Sequence, residues 1–149
     1  MVKILTIYFY TKNDPYYEFS NFAKYGVELD GVWWQTVEHY FQAQKFHDPD
    51  YREKIRLAVT PKLAANLGRS RKIPIRIDWE NVKYEIMKRA VLKKFHTHEA
   101  IRDLLLSTDN EDLVENAPGD YYWGCGADGS GKNKLGLILQ EVRHQFIKE

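Results

Sequence analysis

Three polar residues in the segment TVEHYFQAQKF (36–46) have types and a spacing that could serve chemistry. Glu38, Gln42 and Lys45 lie four and seven positions apart, so a helix would place them on one face. The other positions are mostly aromatic or aliphatic, whereas a solvent-exposed helix has a broad polar face. The pattern therefore predicts a helix whose aligned carboxylate and amine meet a cavity, a crevice or a partner.

The chemistry available to this pair is imine formation with proton transfer. Burial disfavours the ammonium form of a lysine, which makes the Lys45 amine a candidate nucleophile or Schiff-base former. A carboxylate one or two turns away, such as Glu38, could move protons for it. The residues alone leave open that both side chains are solvated or form a structural ion pair, as most charged side chains do.

A glycine-rich segment, NAPGDYYWGCGADGSGKNKLG (116–136), is a candidate anion site. Backbone N–H groups in such a loop, before a helix that Asn133 could cap, suit phosphate. Residues 126–133 approach the phosphate-loop pattern, but Asn133 stands where a magnesium-binding hydroxyl is needed. A magnesium-dependent nucleotidase is therefore disfavoured, and a flexible loop without a ligand is the alternative.

Aromatic residues in predicted loops could stack on a flat base. Phe19 and Phe22 flank Asn21, whose amide could read the polar edge of a base. Trp79 begins a predicted helix, and Trp123 lies in the glycine-rich segment. The alternative is that these rings close the hydrophobic core.

Composition bounds the class of protein. The 149 residues predict one domain, 1–149, and 44% hydrophobic with 29% charged residues is typical of a soluble globular chain. The net charge of +1, with only short basic runs such as 69–72, argues against a long nucleic-acid footprint and favours a small ligand or a few nucleotides. One cysteine excludes an intramolecular disulfide, and the five histidines lack metal-ligand spacing. The first ten residues suit neither a signal peptide nor a membrane span, so a cytoplasmic, metal-free protein is expected.

The pattern of elements predicts an α+β fold, mostly helical around a small sheet. Asp30-Gly31 is typical of a hairpin turn, and Thr36 and Thr60 are candidate helix caps. The predicted strands span 2–10, 27–34 as a hairpin, and 112–116, and the predicted helices span 36–46, 48–59, 60–69, 79–95, 97–107 and 133–148.

Several motifs in one order resemble the NADAR family of N-glycosidases over roughly residues 8–146. One departure is Gln140, where the family often has Met, within the last predicted helix. The matching stretches are EFSNF (18–22), W-x-T-V-E-H-Y-F-Q-A-Q-K-F (34–46), LGR (67–69), DW with VKYEIMKRAVLKKF (78–95), LVENAPGDYYWGCG (113–126) and GKNKLGLILQEVR (131–143).

The resemblance implies hydrolysis of the bond between ribose C1″ and an amino group on a base, without a cofactor. It implies that Lys45 attacks C1″ and that Glu38 transfers protons, with Asp120 as the second candidate carboxylate. Substrates in the family are phosphorylated ribosylamino-pyrimidine intermediates of riboflavin synthesis, and guanine that carries ADP-ribose in nucleic acid or a nucleotide. No membrane and no obligate protein partner is expected.

The resemblance also implies a substrate-binding set around the reacting sugar and base. A module that binds ADP-ribose or a nucleotide without hydrolysis is the alternative, although binding alone does not require an aligned lysine and glutamate. The set comprises Phe19, Asn21, Phe22, Arg69, Trp79, Trp123, Gly124 and Asn133. The pairing of Arg69 with phosphate is inferred from the fork geometry of its guanidinium.

Overall fold

A computed structural model describes residues 5–149 and has an α+β fold, as predicted. Within this range the strands are β1 Thr6–Phe9, β2 Val27–Leu29, β3 Val32–Trp34 and β4 Asp112–Glu115. The helices are α1 Val37–Ala43, α2 Pro49–Arg56, α3 Pro61–Arg69, α4 Trp79–Thr97, α5 Glu99–Leu106 and α6 Lys134–Lys148, with a short 3₁₀ helix at Tyr17–Phe19. No helix among these residues combines the length and hydropathy needed to cross a membrane.

The chain divides into two compact units. One unit comprises Lys24–Thr97, and the other comprises the chain up to Ala23 together with His98–Glu149. The described strands form two separate two-stranded sheets, where the sequence predicted one small sheet. Each unit has its own strand pair, because β2 and β3 belong to the first unit and β1 and β4 to the second.

Local signals set the element boundaries of the Lys24–Thr97 unit. Asp30 and Gly31 both have positive φ, 56° and 79°, which fits the two-residue turn that joins antiparallel strands and confirms the predicted hairpin. The predicted caps are also confirmed, since the Thr36 and Thr60 hydroxyls accept hydrogen bonds from the third residue beyond each. Helix α1 is shorter than predicted, so Lys45 lies in the turn that follows it.

Helix α1 is the centre of the Lys24–Thr97 unit. All of its residues are buried, and it packs against α2, α3 and α4, which explains why its sequence is apolar most of the way round. The α1–α3 contact is close at Gly68, where a side chain would collide with Gln42. The principal core residues of this unit are Val37, Tyr40, Phe41, Phe46, Ile55, Ala64, Met87 and Phe95.

In the second unit, β1 and β4 pair in parallel, from Thr6↔Asp112 to Phe9↔Glu115. Positions 2–4 of the predicted first strand lie outside the described residues. Helix α6 covers β4 with side-chain hydrogen bonds: Asn133 Oδ1 accepts from Glu115 N at 3.0 Å, and Gln140 Oε1 accepts from Leu113 N at 2.9 Å. These bonds satisfy the backbone on the side of β4 that faces away from β1.

Candidate active site

The side chains of Glu38 and Gln42 meet on one face of α1, as the spacing predicted. They are 8% and 7% exposed, and Gln42 Nε2 donates a hydrogen bond to Glu38 Oε2 at 3.2 Å. Lys45 N donates to the Gln42 carbonyl at 3.3 Å, so the turn after α1 carries the lysine past the helix end. We call Glu38, Phe41, Gln42, Lys45 and Trp79 the Lys45 cluster.

Two buried aromatic rings lie next to the Lys45 amine. Its Nζ is 5.9 Å from the centroid of the Phe41 ring and 6.0 Å from that of Trp79. The two rings contact each other at 5.0 Å with an interplanar angle of 55°. Rings at this distance attract the ammonium only weakly while excluding water from one side of it, so the lysine lies in a partly apolar environment.

The segment that precedes α4 holds the backbone of Lys45. Arg76 N donates to the Lys45 carbonyl at 2.7 Å, and Trp79 N donates to the Arg76 carbonyl at 3.3 Å. The Arg76 guanidinium in turn pairs with Asp78 at 2.6 Å. These bonds fix the start of α4, which carries the Trp79 ring, against the turn that carries Lys45.

The surroundings lower the pKa of Lys45 from 10.5 to about 8. Burial is the main cause, and the positive charges of Arg71, Arg69 and Lys83 lower the pKa further, while Glu38 opposes the shift. At pH 7 a pKa of about 8 leaves roughly one amine in ten neutral, against roughly one in 3,000 for an ordinary lysine. A neutral fraction of this size is what attack by a lysine amine requires, and a nucleophilic role for Lys45 stays a prediction.

Two of these cations, Arg71 and Lys83, were missed by the sequence reasoning. Arg71 is exposed and is held by Gly68 O and Ser70 O, at 2.8 Å and 3.1 Å from its Nη1. Lys83 pairs with Glu80 at 2.6 Å. The basic run 69–72 was the available signal for Arg71, whereas nothing in the helix 79–97 distinguishes Lys83 from other lysines. Together with Arg69, these cations make the neighbourhood of Lys45 suitable for an anion.

One polar atom of the Lys45 cluster is buried at a cost. Among the described residues, Gln42 Oε1 has no hydrogen-bond donor. Leaving a buried amide oxygen without a donor costs about 1–3 kcal/mol, and an apolar residue of similar volume would avoid that cost. The packing of α1 against α3 therefore does not by itself account for a glutamine at this position.

In the second unit, polar groups of the glycine-rich segment bond to its own backbone. Asp120 Oδ1 accepts hydrogen bonds from Tyr122 N at 3.0 Å and Trp123 N at 2.8 Å. A Cβ at Gly124 would lie 2.9 Å from Ala117 Cβ and 3.0 Å from the Asp120 carbonyl, so close packing requires a glycine there. Asp120 and Gly124 thus shape the loop that carries Trp123.

The backbone N–H groups before α6, which were expected to bind phosphate, already donate hydrogen bonds within the protein. The backbone N–H groups of residues 131–135 each donate to a carbonyl within residues 121–125, at 2.7–3.1 Å. These five N–H groups are therefore not available to phosphate, and phosphate binding by the rest of the glycine-rich segment stays a prediction. Asn133 occupies the N-cap position of α6, as predicted, but its side chain makes no capping hydrogen bond to the helix. Its amide instead bonds Leu113 O and Glu115 N in β4.

The FSNF residues lie in the same unit as the glycine-rich segment. Phe19 is 1% exposed and packs on Phe9 and Tyr16, with ring centroids 5.9 Å and 5.5 Å apart. Asn21 is buried and Phe22 is partly exposed. Phe19 therefore serves the core of this unit, and a contact of these three residues with a substrate stays a prediction.

The structure thus brings together one part of the predicted site. In the Lys24–Thr97 unit, Lys45 lies near Glu38, Trp79 and Arg69. Substrate binding by the predicted residues of the other unit stays a prediction. Those residues are Phe19, Asn21, Phe22, Asp120, Trp123, Gly124 and Asn133. Among residues 5–149, no group of three or more His, Cys, Asp or Glu side chains could hold a metal ion.

Residues 8–147 match the model of the NADAR domain, and the chain belongs to the NADAR family. It is 49% identical to "N-glycosidase YbiA" of Escherichia coli over 96% of this chain and 89% of that protein. The solution structure of that protein superimposes with a TM-score of 0.91 at 47% identity, covering 99% of this chain and 88% of that one. These likenesses confirm the predicted family and fold.

Two further relatives extend the comparison. "N-glycosidase Npun_R5314" of Nostoc punctiforme is 50% identical over 95% of this chain and 93% of that protein. "Riboflavin biosynthesis protein PYRR, chloroplastic" of Zea mays is 39% identical over 95% of this chain but only 25% of that protein. The protein is an enzyme of the N-glycosidase class.

Proposed function

We propose that the protein hydrolyses the bond between C1″ of a phosphorylated ribose and an amino group on a heterocyclic base, through an imine on Lys45. The observation that carries this proposal is the lysine amine whose pKa is about 8, near the buried Glu38 carboxylate. An ordinary surface lysine is almost wholly protonated at neutral pH and does not attack carbon.

The reaction consumes one water and needs no oxidant. Opening of the ribose ring gives an imine between C1″ and the base amine. The neutral Lys45 amine adds to C1″, and the Glu38 carboxylate takes up the proton that this nitrogen loses. Glu38 then passes the proton to the base nitrogen, and the C1″–N bond to the base breaks. The resulting lysine imine then takes up water, which releases the sugar aldehyde and restores the lysine and the carboxylate.

The positive charges around Lys45 support a sugar that carries phosphate. Arg69 and Arg71 are exposed side chains close enough to influence the lysine, and a guanidinium binds phosphate oxygens in pairs. A ribosylamino-pyrimidine phosphate and an ADP-ribosylated guanine share this chemistry, since both join C1″ of a phosphorylated ribose to a base amine. The maize relative named for riboflavin biosynthesis supports the pyrimidine.

Borohydride trapping tests the imine. Each of the two substrates is incubated with the protein and sodium borohydride, and peptide mass spectrometry locates the reduced sugar. We expect an adduct on Lys45, none in Lys45→Met, and full labelling in Lys54→Met, which changes an exposed lysine of α2. A substrate that is turned over without any adduct on Lys45 contradicts the mechanism.

Product analysis of the same reactions separates an enzyme from a binding module. Chromatography should show free sugar phosphate or free ADP-ribose together with the released base, and the faster of the two substrates identifies the base class. Saturable binding of ADP-ribosylated guanosine and of the pyrimidine, with no release from either, would instead indicate a module that binds without hydrolysis.

A further inference from the structure

Gln42 links the carboxylate of Glu38 to helix α3. Its Nε2 donates to Glu38 Oε2 at 3.2 Å, one helical turn away on α1. Its Oε1 lies against Gly68, where a Cβ added to the glycine would come within 1.9 Å of that oxygen. The amide is therefore confined between a carboxylate on one side and the backbone of α3 on the other.

The Gln42 amide is buried at a cost in folding free energy. Gln42 is 7% exposed, and its Oε1 has no hydrogen-bond donor among residues 5–149. Met has nearly the same length and would fill the space without a buried, unsatisfied oxygen. The hydrogen bond to Glu38 is what the glutamine provides and Met does not.

We propose that Gln42, confined by Gly68, is a positioning residue that orients the Glu38 carboxylate and favours its ionised form. An N–H donor binds the charged carboxylate more strongly than the neutral acid, so the hydrogen bond stabilises the ionised form relative to the acid. The inference rests on the proposed function for the catalytic meaning of Glu38, although the hydrogen bond and its effect on titration do not depend on it.

Gly68 gives a second way to disturb the same bond. Replacing a helical glycine with alanine usually stabilises a helix. At position 68 the added Cβ would displace the Gln42 amide, and with it the N–H that faces Glu38. Gly68→Ala should therefore resemble a Gln42 variant in its effect on Glu38, although the changed residue lies on another helix.

The test is a carbon-13 NMR titration of the Glu38 side-chain carboxyl in the protein without substrate. Gln42→Met should raise its midpoint by roughly half to one pH unit, and Gly68→Ala should move it in the same direction. Gln44→Met is the matched control, because Gln44 is equally buried at the same helix end but bonds Arg52. Thermal melts establish that each variant is folded.

Steady-state rates then connect the titration to catalysis. With both substrates, the acidic limb of kcat should move to higher pH in Gln42→Met, with KM changed less than kcat. An unchanged Glu38 midpoint in a folded Gln42→Met or Gly68→Ala protein overturns the positioning role, however slow the variant is. A shifted midpoint in a protein that releases no sugar from either substrate would overturn the proposed function and leave the role of Gln42 standing.

Discussion

The Lys45 cluster and the glycine-rich segment 116–136 differ in what their polar groups bond to. Both are candidate sites by sequence, and both combine aromatic rings with charged and amide side chains. In the glycine-rich segment, the Asp120 carboxylate and the N–H groups of residues 131–135 are bonded to the segment's own backbone. That hydrogen bonding accounts for the shape of the loop without a ligand.

In the Lys45 cluster, two polar groups are buried in ways that cost free energy of folding. Burial and nearby cations disfavour the ammonium of Lys45, and Gln42 Oε1 is buried with no donor in the part of the chain that the structure describes. Residues with shifted pKa values and buried polar groups without hydrogen-bond partners concentrate at functional sites. Such residues are kept because they are needed for function, although they lower the stability of the fold. The comparison therefore supports the proposal that the reacting groups lie on the Lys45 side, and it shows that Asp120 and Asn133 bond to the backbone of their own unit.

The two candidate carboxylates provide the sharpest test of this comparison. Glu38→Gln should lower kcat by about 10²–10⁴-fold, the usual range for loss of a general acid–base. Asp120→Asn should keep kcat within a few-fold, because an asparagine Oδ1 still accepts from Tyr122 N and Trp123 N. The rate of sugar release in a single turnover, monitored by chromatography, is measured for both variants. Near-normal turnover in Glu38→Gln with a large loss in Asp120→Asn would reverse the two roles.

Asn133 tests the structural side of the comparison. Asn133→Gly keeps the left-handed backbone but removes both hydrogen bonds to β4, so it should destabilise the fold by about 2–3 kcal/mol. Urea unfolding measures the change. Asn133→Asp, which retains the Oδ1 acceptor, is the control, and its free energy of unfolding should fall by less. Equal stability of wild type and Asn133→Gly would show that these bonds do not hold α6 to β4.

What could be predicted from the sequence was local. The caps at Thr36 and Thr60 and the turn at Asp30-Gly31 depend on neighbouring residues, so their patterns identified them. Asn133 does lie at the N-cap position of α6, but its side chain does not cap the helix, because β4, twenty residues earlier, competes for its amide. A sequence pattern that is read locally does not include such a distant partner.

For the same reason, only part of the environment of Lys45 could be predicted from the sequence. The helical spacing identified its alignment with Glu38. Arg71 follows α3 and Lys83 lies in α4, so their approach to Lys45 depends on how these elements pack around α1. The segment that bonds the Lys45 carbonyl through Arg76 N has no pattern that predicts that contact.

The Lys45→Met variant tests whether the lysine of the Lys45 cluster lowers the free energy of unfolding. The pKa of Lys45 is about 8 in the folded protein, against about 10.5 when unfolded, so the unfolded chain binds more protons between these values. The charged lysine therefore destabilises the fold below pH 8, and the penalty disappears as the pH rises to 10.5. After allowance for solvent screening, Lys45→Met should be more stable at pH 7 by roughly 1–2 kcal/mol. Urea unfolding of wild type and Lys45→Met across pH 7–10.5 should show that the difference in their free energies of unfolding shrinks as the pH rises. A difference that stays constant with pH would exclude a lowered pKa for Lys45.

The smallest expected effect concerns the charge beside the lysine. After burial, Arg71 is the largest cause of the low Lys45 pKa, so Arg71→Gln should raise that pKa by a few tenths of a pH unit. The rate of borohydride trapping, which rises as the amine loses its proton, should then have its midpoint at higher pH. Lys72→Gln removes a neighbouring exposed cation that does not contribute to the shift, and it is the matched control. If both variants keep the wild-type midpoint, the charge of Arg71 does not contribute to the low pKa, and its guanidinium would serve only to bind the substrate's phosphate.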